Sequence, residues 1–347
     1  MRIIGFGICV CLLLISCNPK EEIEASNFYT DTLNSVEKIN LEIEKIEKEL
    51  IQKPNDFKLW LKKGNLCKEI ADYPCALDAG AKTFLLDSQN IESRALFAWT
   101  LINKPNRELV DIENAKKHYN YIHSIKKNDD QVLVELANTF SLTGDFDMAF
   151  KLIDDALLIN SKNRDAFVLR GSIYKIEGKL KSAMDSYQNA IQIDPDFFLG
   201  QLNIAWLLTE MENHELALEY YRNALDLDPK SVNALYGIAK SFQDLNSISE
   251  AHQAYRELIQ VEPTFHYAYY NQGVMKQFLE RELDSAVFYF DKSVQVQPEF
   301  VKGWHQLGEV YIEQDRRVDA ARAFTKALEL NPDFEPSREA VEYLKNL

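Results

Sequence analysis

Residues 301–334 read VKGWHQLGEVYIEQDRRVDAARAFTKALELNPDF. Trp304, Leu307, Gly308 and Tyr311 fall on one face at helical spacing. After a polar turn at Asp315–Arg316, a second helical pattern carries Ala320, Phe324 and Ala327, and Asn331–Pro332 stops it. Gly308 and Ala320 are small where two antiparallel helices must approach closely. Trp304, Tyr311 and Phe324 fill the space around that contact. Proline lacks the N–H the second helix needs to continue, so Pro332 opens a loop. One such pair cannot bury its apolar face alone.

The pattern recurs upstream. Pro332 has counterparts at Pro298, Pro263, Pro229 and Pro195, with spacings of 34, 35, 34 and 34 residues. Ala320 repeats as Ala286, Ala251, Ala217 and Ala183, and Phe324 as Phe290, Tyr255, Tyr221 and Tyr187. A fixed period of this length means stacked copies of one small unit. The phase defines eight repeats over 57–334: 57–90, 91–129, 130–163, 164–197, 198–231, 232–265, 266–300 and 301–334. The three N-terminal copies are progressively weaker. The 266–300 copy has one additional residue, assigned to its inner turn after Gly273. The 91–129 copy has its surplus around Lys104–Glu108. Residues 335–347 form an amphipathic capping helix. Val36, Ile39, Ile43, Ile46 and Leu50 make an apolar stripe within 31–56, read as an N-terminal cap helix, with a short coiled coil as the alternative.

The order Trp304, Leu307–Gly308, Tyr311, Ala320, Phe324, Ala327, Pro332 resembles the tetratricopeptide repeat (TPR). The resemblance implies an all-α, right-handed TPR superhelical solenoid of antiparallel helix pairs. It also implies a concave groove lined by the first helix of each repeat, where a protein segment binds. The candidate groove residues are Asn203, Trp206, Tyr236, Lys240, Tyr267, Tyr270, Asn271 and His305. By resemblance, Asn203 and Asn271 hold the backbone of an extended peptide, and the aromatics offer flat contact area. Plain packing between helices accounts for the same residues equally well. A clamp for a C-terminal carboxylate is disfavoured, because Lys58, Lys62 and Asn65 have no basic partners in the next repeat.

The N-terminus carries a different signal. After Met1–Arg2, Ile3–Ile15 is an apolar run of 13 residues. That is shorter than the roughly 20 a membrane-spanning helix needs, and reads as a secretory signal peptide over 1–16. Leu14-Ile15-Ser16-Cys17 resembles the box of a bacterial lipoprotein. The resemblance implies diacylglycerol on the Cys17 sulfur and acylation of its new amino group. Residues 17–30 then form the lipidated cysteine and a flexible tether. No Asp follows Cys17, and Lys20-Glu21-Glu22 resembles a surface-export signal. The expected location is the bacterial cell envelope, lipid-anchored at the outer membrane, with the facing leaflet left open.

Without residues 1–16 the chain has 38 basic and 54 acidic side chains. Such an acidic surface disfavours nucleic acid and anionic headgroups. Cys67 and Cys75 lie on facing helices of the first repeat, as a possible disulfide or as two buried small side chains. No catalytic motif, metal-ligand spacing or cofactor loop is present in the sequence, and the six histidines read as scattered surface residues. The expected function is a membrane-anchored adaptor or scaffold for envelope proteins. The alternatives are a self-associating component of an envelope or secretion assembly, and recognition of glycan. The sequence leaves the partner and the oligomeric state open.

Overall fold

A computed structural model describes the backbone of residues 19–345 and the side chains of residues 36–345. The signal segment 1–16 and Cys17 lie outside the described residues. Among those described, every regular element is helical. α1 (Pro19–Gln52) runs through most of the stretch read as a tether as well as the stretch read as a cap. Its Ile39 and Ile43 join Leu66 and Cys67 of α2 (Phe57–Glu69), and Ile70 just after it, in one cluster, so the apolar stripe is used inside the chain.

Paired helices follow. α2 pairs with α3 (Tyr73–Leu86), and α4 (Ile91–Asn103) with α5 (Leu109–Ile125). Next come α6 (Asp130–Leu142) and α7 (Phe146–Ile159). α8 (Arg164–Ile176) pairs with α9 (Leu180–Ile193), α10 (Phe198–Glu210) with α11 (His214–Leu227), and α12 (Val232–Asp244) with α13 (Ile248–Val261). α14 (His266–Val274) pairs with α15 (Leu283–Val296), and α16 (Val301–Glu313) with α17 (Arg317–Leu330). α18 (Glu335–Lys345) packs on α17. The chain divides into two compact units between Leu152 and Ile153, within α7.

Two kinds of turn set the period. Inside each repeat, one residue adopts the left-handed conformation: Ala71, Asn106, Gly144, Gly178, Glu212, Asn246, Arg281 and Asp315. In most of them the next N–H reaches back across the helix end, as Asn213 N–H does to the Leu208 carbonyl at 2.9 Å and Arg316 N–H to Tyr311 at 2.8 Å. This closure satisfies helix-end carbonyls that would otherwise lack donors. Only two of these positions are glycine, so elsewhere the closure offsets the roughly 1–2 kcal/mol that the left-handed conformation costs an L-residue.

At five junctions, the fourth residue of the next helix donates its side chain to the proline carbonyl six residues upstream; at Pro229 that residue is Leu235, which has no donor. Trp60 Nε1 does so to Pro54 at 2.9 Å, Gln201 Nε2 to Pro195 at 3.2 Å and Tyr269 Oη to Pro263 at 3.2 Å. Trp304 Nε1 reaches Pro298 at 2.9 Å, and Arg338 reaches Pro332 at 2.8 Å. An indole, an amide, a phenol and a guanidinium thus do one job.

In unit 2 the phased aromatics of the second helices are fully enclosed: Tyr187, Tyr221, Tyr255, Phe290 and Phe324. Small residues on the first helices make room for them. A Cβ added to Gly308 would lie 2.5 Å from Phe324 Cε1, and one on Gly273 would lie 2.8 Å from Phe290 Cδ1. The buried phenols find partners, Tyr187 with Ser172 Oγ at 3.0 Å and Tyr255 donating to Gln243 Oε1 at 2.8 Å. The additional residue of 266–300 is not in the inner turn. α14 widens into a π-helical turn, Met275–Glu280, which absorbs it within the helix. In 91–129 part of the surplus lengthens α5, which has 17 residues against 14 in α9.

Ala217 is completely buried at the helix–helix contact, whereas Glu219 on the same helix is exposed. Ala217→Leu is expected to destabilise by about 1–3 kcal/mol, the usual result of overpacking. Glu219→Leu should change stability by less than about 0.5 kcal/mol. Chemical denaturation of both variants checks the register.

Candidate functional site

The first helices of unit 2 lie side by side, with α10 in direct contact with α12. Trp206 on α10 is 37% exposed, and the Lys175 ammonium of α8 sits 3.7 Å above its ring centroid. Such a contact contributes about 0.5–2 kcal/mol. Burial pushes the Lys175 ammonium below its ordinary range, against the opposing charge of Glu210. Asn203, one turn before Trp206, donates its amide to its own helix at Leu199 O, 2.7 Å away. Lys240 on α12 pairs with Asp244.

Further along, the structure joins several candidates to one another. Asn271 is buried, and its amide donates to Tyr236 Oη at 3.3 Å. Tyr236 packs edge-on against Phe265 at 5.3 Å between ring centroids. Tyr270 packs on Phe290 and Phe300, at 5.5 and 5.2 Å, and burial raises its phenol above the ordinary range. Tyr267 touches Phe300 with one edge yet remains 41% exposed. His305 meets Ser337 Oγ of α18 at 3.1 Å, packs edge-on against Phe334, and is held below the usual imidazole range by burial. Of the eight candidates, Trp206 and Tyr267 present the most ring surface to solvent. Tyr236, Tyr270, Asn271 and His305 also hold the helices together.

Sequence reasoning missed other groups on these helices. Gln277 is buried in the π turn, while Phe278 and Leu279 after it are 52% and 48% exposed. Their outward placement follows from the additional residue within the helix, which the repeat phase did not locate. Glu309 on α16 is half-buried one turn from Glu313. Burial first, and then the Glu313 charge, hold its carboxyl above the usual carboxylate range. Nothing in one glutamate's spacing signals this.

Two histidines depart from the surface reading. His118 is buried against Phe84, Phe97 and Arg94 of unit 1. His252 is buried between Gln272 Oε1 at 2.9 Å and Glu280 Oε1 at 2.6 Å. Both fill space beside longer polar side chains, which spacing alone does not reveal. Cys67 and Cys75 form a disulfide between α2 and α3, with Cα atoms 5.7 Å apart. No group of three or more His, Cys, Asp or Glu side chains among the described residues could hold a metal ion.

With its carboxyl raised above the unfolded value, folded Glu309 binds protons more readily than the unfolded chain. Its contribution to stability therefore falls as pH rises through that interval. Glu309→Gln is expected to raise the melting temperature at pH 7, and the difference should vanish below about pH 4, where both states are protonated. Thermal melts at the two pH values check it.

Models of the tetratricopeptide repeat match residues 165–197, 200–231 and 301–334. The chain is 49% identical over 41 residues to the cytochrome c-type biogenesis protein CycH of Pseudomonas aeruginosa, covering 12% of this chain and 10% of that protein. It is 37% identical over 60 residues to the DnaJ homolog subfamily C member 7 homolog of Schizosaccharomyces pombe, covering 17% and 13%. The matches thus span about a tenth of the length of these curated relatives. The solved C-terminal part of a TPR repeat-containing protein from Cytophaga hutchinsonii aligns with a TM-score of 0.56 at 17% identity, over 66% of this chain and 94% of that one. That likeness shows the fold. Residues 165–197, 200–231 and 301–334 are thus tetratricopeptide repeats, set in a continuing succession of helix pairs.

Proposed function

We propose that the chain is a lipid-tethered adaptor of the bacterial cell envelope, holding a segment of a protein partner against the first-helix face of unit 2. The observation that carries the binding half is Trp206, left 37% exposed under the Lys175 ammonium while the phased aromatics of the second helices are enclosed. A flat ring beside a cation suits contact with a partner segment, and aromatic anchors of this kind often dominate binding energy. Tetratricopeptide pairs are an interaction module, and we read no catalytic role here. The tether rests on the sequence: an apolar leader ending in Leu14-Ile15-Ser16-Cys17, with two or more acyl chains giving stable anchoring at the outer membrane.

Two experiments test the halves separately. Cys17→Ser is expected to abolish acyl labelling in cells; persistent label would remove the tether. Cross-linked membranes should yield a partner with the wild-type chain and lose it with Trp206→Ala/Tyr267→Ala, after matched melting temperatures show that the variant folds. Equal capture by both would move the binding site off this face, and capture of only further copies of the chain would favour self-assembly.

A further inference from the structure

The C-terminal part of the same face has its own chemistry. Gln277 Nε2 donates to Glu313 Oε1 at 2.5 Å, and Gln306 Nε2 donates to Gln277 Oε1 at 2.8 Å. These bonds fix the π turn beside α16, and Phe278, the next residue of that turn, is exposed. Among the described residues the cation paired with Glu313 is a loose one, the 70% exposed side chain of Arg281 at 3.6 Å. Glu309 makes no hydrogen bond or ion pair among the described residues. Two like charges one helical turn apart repel each other and destabilise the helix. Half-burial of Glu309 withholds part of the water that would screen them.

We propose that the segment held on this face is basic and amphipathic: a lysine or arginine side chain lies between the Glu309 and Glu313 carboxylates, and an apolar side chain beside it covers Phe278. The proposal rests on the adaptor reading and names the chemistry of its partner. Charge complementarity selects this occupant. A partner cation relieves the repulsion between the two carboxylates and forms charge-assisted hydrogen bonds with them. Phe278 supplies apolar area where the acids alone would attract any cation. An acidic segment would add a third negative charge.

The probe is a short labelled peptide repeating Lys-Phe-Ser-Gly, with Glu-Phe-Ser-Gly repeats as its counterpart. Each is titrated by fluorescence anisotropy against the full chain in detergent, with the detergent signal subtracted. The lysine peptide is expected to bind, and the glutamate peptide about tenfold or more weaker. Glu309→Gln/Glu313→Gln should weaken the lysine peptide by about tenfold or more, and Phe278→Ala should weaken it measurably. Glu219→Gln/Glu257→Gln, with the same loss of charge on exposed second-helix sites, should weaken it by less than about twofold. Glu309→Gln alone keeps the Gln277–Glu313 bond, so a weaker complex with an undiminished melting temperature cannot be ascribed to unfolding. Equal weakening in the charge-matched control, equal affinity for the glutamate peptide, or no binding of the lysine peptide would overturn the proposal. If any of these occurs while the cross-linked partner is still lost with Trp206→Ala/Tyr267→Ala, this inference fails and the adaptor reading survives.

Discussion

The contact between an aromatic ring on a second helix of unit 2 and a glycine on a first helix, made by Tyr187, Tyr221, Phe290 and Phe324, is the constraint on which the other features depend. At Gly308 even a methyl group would fall inside the van der Waals envelope of Phe324. Gly237 is as restricted, because its added Cβ would lie 2.2 Å from Cζ of Tyr221, a residue of the preceding pair. Tyr221 is therefore gripped from the next repeat, and its ring couples one pair to another. A close-packed interior transmits such a fit without slack. With the phased second-helix rings committed to the core, Trp206 and Tyr267 are the first-helix rings that keep the most surface in solvent among the candidates.

The turns explain how the sequence drifts while the repeat persists. Five proline carbonyls ahead of a helix receive a side-chain donor whose identity varies, from Trp60 to Arg338, while Leu235 after Pro229 offers none. The inner turn needs a left-handed residue, and Glu212, Arg281 and Asp315 serve although each carries a Cβ. Backbone geometry is conserved from repeat to repeat, and side-chain identity is not. The same logic reaches the C-terminal end. Arg338 of α18 makes the inter-repeat bond, so α18 docks as the first helix of a repeat whose second helix does not follow among the described residues.

The period made the fold class legible because steric contacts recur with it: prolines, alanines and rings cannot drift without breaking a pair. The site was legible only in outline. Phase brought Trp206, Tyr236, Tyr267 and Tyr270 together on first helices, but not how far each is exposed. Exposure is decided by neighbours from other repeats, such as Phe265 beside Tyr236 and Phe300 beside Tyr270. Asn271 looks like a peptide-clamping amide in one dimension, yet in three its donor is used by Tyr236. His252 reads as a surface histidine until Gln272 and Glu280, from the following repeat, close over it. Sequence spacing describes one helix at a time, whereas burial is a property of several.

The π turn shows how a repeat can acquire a local feature without disturbing its neighbours. One additional residue in a regular helix rotates everything beyond it by about 100°. Left uncorrected, it would turn the end of the first helix away from its partner. The wider turn at Met275–Glu280 absorbs the residue, and left-handed Arg281 closes it two residues before α15, in which Phe290 still meets Gly273. The change is confined to the π turn, where Gln277 faces inward to bond α16 and Phe278 faces out. Because each repeat answers mainly to its neighbours, such a change needs compensation only nearby. The chain can therefore vary its exposed face one repeat at a time while the ring-against-glycine contacts beneath it stay fixed.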